Sequence, residues 1–89
     1  MARLIFTQQL SRFTEVAEVE TTADNLRDAL ETAFQVNPSL RGYILDEQND
    51  LRFHVVVFID GKRVMQRSGL RNSLGSNSQV YVLQALSGG

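Results

Sequence analysis

Apolar residues recur along this chain with two different periods, and the changes of period outline its elements. Residues 3–8 are rich in β-forming side chains. After a polar break at Gln8 to Arg12, Thr14 to Glu20 alternates again around Val16 and Val19. The pair reads as a first hairpin. Thr22 is an expected helix N-cap, with Asp24 in the first turn, where a negative charge suits the helix dipole. Leu26, Ala29, Leu30, Ala33 and Phe34 then follow the three-to-four-residue spacing of one apolar stripe on an amphipathic helix lying on a sheet. Pro38 ends that helix, because the residue before a proline is pushed out of the helical region.

Beyond the helix the period returns to two. Arg41 to Leu45 reads as a short extended piece, and Asp46 to Asp50 as a charged, solvated turn. His54 to Ile59 is the most apolar run, and its β-branched content marks a central strand. Asp60-Gly61 is a hairpin turn of the kind that needs positive φ at both central positions, so Lys62 to Met65 returns as a short strand. Ser68 to Ser78, rich in serine and glycine, reads as a loop with one helical turn at Leu70 to Leu74. Gln79 to Gln84 alternates and is the last strand, giving an α+β layer with one main helix on one face of a mixed sheet. Periodicity by itself leaves a β-grasp, a ferredoxin-like fold and other small α+β sandwiches open.

Composition narrows the chemistry. A chain of 89 residues holds one domain with one core and little room for a deep catalytic cleft. The net charge of −1 creates no field that would favour nucleic acid or an anionic membrane. The absence of cysteine removes disulfides, thiolate metal ligands and a cysteine nucleophile. The start Met1 to Phe6 lacks the apolar segment of a signal peptide, and no run approaches the roughly 20 residues of a membrane span, so a cytoplasmic protein is expected.

Val55 to Val64, with its Asp60-Gly61 turn, and the ending Val80-Tyr81-Val82-Leu83-Gln84-Ala85-Leu86-Ser87-Gly88-Gly89 resemble the ubiquitin-like sulfur carriers. That family includes the small subunit of molybdopterin synthase and the carriers of the thiamine and cysteine pathways. The resemblance spans nearly the whole chain. In length and in the segment Asn37-Pro38-Ser39-Leu40-Arg41-Gly42 it is similar to the longer members, such as the cysteine-pathway carrier. Two positions depart from the family pattern: Leu74 to Gln79 replaces an acidic turn, and Gln84 stands where proline is frequent.

The resemblance implies a β-grasp domain over residues 1–84 and a flexible diglycine tail over 85–89, with no catalytic residue of its own. Gly89 would be the acyl-adenylate and thiocarboxylate site, carried by Gly88, Ser87 and Leu86. It implies as partners a ubiquitin-activating-type adenylyltransferase, which uses ATP and Mg, a sulfur donor or sulfur-accepting synthase, and a protease that matures or removes the tail. No tightly bound cofactor and no metal is expected. The receiving partner decides whether sulfur goes to cysteine, molybdopterin or thiamine. Transfer of the same acyl group to lysines, as in a protein modifier, and a non-covalent interaction domain are the alternatives.

The chemistry explains the tail. A C-terminal carboxylate, with an ordinary pKa of about 3.3 to 3.7, is a poor electrophile at neutral pH and must be activated. Glycines lack Cβ and present a thin chain to a narrow active site. Five extended residues reach roughly 17 Å at about 3.4 Å each, well clear of the carrier's core. A terminal Gly-Gly is common at frayed ends; its direct junction to an alternating strand is what gives it weight here.

A second candidate site is a surface. If Val55, Val57 and Ile59 face the helix with Val80 and Val82, then Val56, Phe58, Tyr81 and Leu83 share the opposite face and form an exposed apolar patch at the base of the tail. Other residues carry less. His54, the single histidine, has no ligand set near it, and Lys62 and Arg63 suit a solvated hairpin end. Arg67 and Arg71 belong to no phosphate-loop pattern, and Ser68, Ser73, Ser76 and Ser78 have no histidine at a useful spacing.

Overall fold

A computed structural model describes residues 1–7 and 18–84 of the chain. Strands β1 (Ala2–Phe6), β2 (Glu18–Thr21), β3 (Val55–Ile59), β4 (Lys62–Arg63) and β5 (Gln79–Gln84) form one mixed sheet in the order β2-β1-β5-β3-β4. β1 runs antiparallel to β2 and parallel to β5, while β3 is antiparallel to both β5 and β4. The main helix α1 (Leu26–Val36) connects the two halves of the sheet in sequence and buries the five stripe residues Leu26, Ala29, Leu30, Ala33 and Phe34. They pack with Leu4, Val55, Val57, Val80 and Val82, each at most 1% exposed, in a single core. This is the β-grasp arrangement expected.

The expected positive-φ turn is present, with Asp60 at 49° and Gly61 at 85°. Gln8 and residues 14–17 of the expected hairpin lie outside the described residues, and β2 supplies the remainder with Val19 and Thr21 buried.

Three expectations are corrected. The N-cap is Asn25 and not Thr22: the Asn25 side chain accepts from the Asp28 N–H at 2.9 Å, and the first-turn acid is Asp28 rather than Asp24. The Thr21 hydroxyl accepts from Ala23 N–H, a local side-chain turn that spans Thr22. Arg41 to Leu45 is not extended. Pro38 opens a 3-10 turn (Pro38–Leu40) that runs into the short helix α2 (Arg41–Ile44), with Leu40 and Ile44, four apart, both fully buried. Arg41 ties this turn to α1 through an ion pair with Glu31 and by lying over the Phe34 ring at 4.9 Å.

The third correction concerns Leu70 to Leu74, which forms no helical turn. Gly69 and Leu70 take positive φ, Ser73 bridges Asn25, and the carbonyls of Asn72 and Leu70 accept the N–H groups of Leu26 and Arg27 at 3.0 and 2.8 Å. The loop therefore satisfies two of the donors that a helix N-terminus leaves unpaired.

Candidate functional site

The sheet has two faces of different character. Because β5 is its middle strand, side chains that alternate along β5 fall alternately in the core and on the outer face. Val80 and Val82 are fully buried, whereas Tyr81 is 39% exposed and Leu83 half-buried. The register sets Leu83 opposite Val56 and Tyr81 opposite Phe58, so the four patch residues adjoin in two cross-strand pairs. Ile59 faces the core and is half-buried there, as its alternation requires.

The patch extends beyond those four. Ile5 stands beside Tyr81 through the parallel β1–β5 pairing. Val64 N–H donates to the Val57 carbonyl at 2.8 Å, and continuing that ladder sets Met65, 76% exposed, opposite Val56. Phe53, 88% exposed, precedes β3 at the end of the sheet where β5 finishes. Alternation alone could not reach Ile5, since its place beside Tyr81 depends on which strand β1 pairs with. Phe53 gave no signal because it stands in a turn.

The root of the tail is firmly held. Gln84 pairs with Val55, and Thr7 N–H donates to the Val82 carbonyl at 3.2 Å. The guanidinium of Arg67 donates to the carbonyls of Arg52 and Val55, pinning the start of β3 beside that root. Leu86, Ser87, Gly88 and Gly89 lie outside the described residues.

Asp60 accepts from the backbone N–H of Gln79 and from the hydroxyl of Ser78, both at 2.9 Å, and these bonds hold its carboxyl below its ordinary pKa. That contact joins the β3–β4 turn to the start of β5, at the other end of the sheet from the tail root.

The remaining candidates assemble no reaction centre. His54 packs edge-on against Phe53, with ring centroids 5.5 Å apart. Arg67 donates from Nη2 to two carbonyls while its buried Nε has no partner among the described residues, and Arg71, Lys62 and Arg63 are exposed. Among the described residues no group of three or more His, Cys, Asp or Glu is placed to hold a metal ion. An apolar cleft of about 330 Å³ between Met1, Thr21, Ala23 and Leu74 bears a single carboxylate, Asp24, on its described wall. No described helix is long and apolar enough to cross a membrane. The arrangement is thus a partly exposed apolar sheet face beside the strand end from which the C-terminal segment continues.

No protein-family model matches the sequence, and no curated protein matches it either. Solved structures match it in fold along its whole length. A chain of the Amycolatopsis orientalis BexX/CysO complex superposes with a TM-score of 0.85 at 16% identity, covering 100% of both chains. Mycobacterium tuberculosis CysO, described as an antigen, gives 0.82 at 16% identity over 97% of this chain and 100% of its own. SAMP1 from Haloferax volcanii gives 0.81 at 18% identity over 99% of this chain and 98% of its own. At such identities the likeness is one of fold, and the fold is the ubiquitin-like β-grasp.

Proposed function

We propose that this ubiquitin-like chain is a sulfur carrier, whose Gly89 carboxylate a partner enzyme adenylates and converts to a thiocarboxylate. A carboxylate oxygen attacks the α-phosphorus of ATP and pyrophosphate leaves. Sulfur at the hydrosulfide level, supplied by a partner, then attacks the acyl carbon, AMP departs and the thiocarboxylate remains. The chain itself holds the acyl group and offers a face by which the partner grips it. It needs no acid, base or metal of its own for this, since the partner brings ATP and Mg.

The observation that carries the reading is the apolar outer face, with Val56, Phe58, Tyr81 and Leu83 in register, on the strand whose last residue, Gln84, is followed by Ala85-Leu86-Ser87-Gly88-Gly89. A partner seated on that face is within roughly 17 Å of the terminal carbon, the reach of five extended residues. The fold likeness to a chain from the BexX/CysO complex supports the same reading, since a protein of this shape there accompanies a second protein.

Incubation with ATP, Mg, an activating enzyme and a sulfur source is expected to give an intact mass in which one oxygen is replaced by sulfur. An unchanged mass, with an enzyme proven competent on its own carrier, rules the proposal out. The likeness to the small archaeal modifier protein 1 of Methanosarcina acetivorans favours a second use of the same carboxylate, an amide bond to a lysine of a target. Adducts that survive reducing agent and disappear when Gly89 is deleted would select that use.

A further inference from the structure

The outer face of the sheet carries a charge pattern that reverses about its own middle strand. One row crosses all five strands: Glu18 is opposite Ile5, Ile5 beside Tyr81, Tyr81 opposite Phe58, and Phe58 opposite Arg63. It reads acid, apolar, aromatic, apolar, base, with Tyr81 at its centre. In a neighbouring row Arg3, ion-paired with Glu20 beyond it at 3.5 Å, lies on one side of Gln79, and Asp60, hydrogen-bonded to Gln79 and Ser78, on the other. Glu18, Arg63, Arg3 and Asp60 are all exposed, and none of the residues on this face belongs to the buried core.

We infer that this face is self-complementary and that two copies of the chain pair through it as a reversible two-fold dimer. A second copy laid face to face, related by an axis along β5, keeps each row in place and reverses its direction. Glu18 then meets the partner's Arg63, Ile5 meets the partner's Phe58, and Tyr81 meets the partner's Tyr81. In the neighbouring row Arg3 meets the partner's Asp60. A two-fold operation makes each charge contact twice, as isologous interfaces require. The geometry suits aligned sheet packing, with faces about 10 Å apart and strands within about 30°.

Size sets the strength. Five strands at about 4.8 Å spacing and about five residues at about 3.3 Å give a face roughly 20 Å by 17 Å, at the low end of protein interfaces. The pairing is accordingly weak and opens readily. It covers Phe58 and Tyr81, so a dimer and a docked partner exclude each other. Both chains leave the sheet at Gln84 from the same end of the dimer.

Sedimentation of the full chain from micromolar to millimolar concentration tests this. The wild type is expected to shift from monomer to dimer. Glu18→Lys and Arg63→Glu, each of which places like charges together twice, should each weaken self-association about tenfold or more. An equimolar mixture of the two variants should dimerise as well as the wild type, because every contact between unlike variants is again of opposite sign. The double variant Glu18→Lys/Arg63→Glu should recover self-association, which guards against a folding defect in either single change. A wild type that stays monomeric at millimolar concentration, or a dimer that ignores both changes, overturns the inference. Either result leaves the sulfur-transfer experiment unaffected, since that one reads the mass of the terminal carboxyl.

Discussion

The inner and outer faces of this sheet are built from the same kinds of residue and do opposite work. Along β3, Val55 and Val57 are at most 1% exposed, while Val56 and Phe58 between and after them remain partly open to solvent. Along β5, Val80 and Val82 are fully buried and Tyr81 is not. Hydrophobicity on the inner face is used up in folding. On the outer face it is left over after folding, held in register by the backbone ladder and bordered by Glu18 and Arg63. Apolar side chains unspent in this way, contiguous and rimmed by charge, are what a docking surface requires.

Two adjacent residues give the sharpest test of that difference. Val57→Asp places a charge where α1 packs and is expected to remove most of the typical 5–15 kcal/mol of a small domain, so that circular dichroism and urea titration report an unfolded chain. Phe58→Asp, one position along, should change urea stability by no more than about 1 kcal/mol, because its site is already partly solvated. The same change should abolish transfer by the activating enzyme. If Phe58→Asp unfolds the protein as Val57→Asp does, the two faces do not differ as described.

Much of this contrast was legible in the chain, because a period of two assigns residues to faces without knowledge of topology. The five strands, the stripe of α1 and the Asp60-Gly61 turn all came from local pattern. Two of the three errors share one cause: they concerned backbone groups satisfied by residues distant in sequence. Leu70 to Leu74 looks able to form a helical turn, yet the carbonyls of Leu70 and Asn72 are drawn outward by the N–H groups of α1. Thr22 is a good cap by type, but Asn25 is the residue that takes the extended cap conformation and is bridged to Ser73. Arg41 to Ile44 is helical because Leu40 and Ile44 must both reach the core. At the candidate site the faces of β3 and β5 were readable from alternation, whereas the β3–β5 register and the place of Ile5 beside Tyr81 required the pairing of the strands.

The cap can be examined on the same terms. Asn25→Ala should cost about 1 kcal/mol of urea stability, the ordinary worth of an N-cap side chain, while Thr22→Ala should be close to neutral. Equal effects at the two positions would mean that the α1 terminus does not begin at Leu26.

The smallest expected effect concerns the polar lock behind the outer face. Asp60 is held below its ordinary pKa by the Gln79 N–H and then by the Ser78 hydroxyl. A carboxyl lowered in the folded state stabilises it fully above the unfolded value of about 3.9, and that stabilisation is lost as pH falls through the lowered folded value. Asp60→Asn keeps an oxygen acceptor for Gln79 and tolerates the positive φ of the turn, but it never ionises. The wild type should therefore be the more stable of the two at neutral pH, with the gap closing only in the acid range below about pH 4. Urea midpoints that differ by a constant amount from neutral pH through the acid range would show that the charge of Asp60 does not hold β5 to the β3–β4 turn.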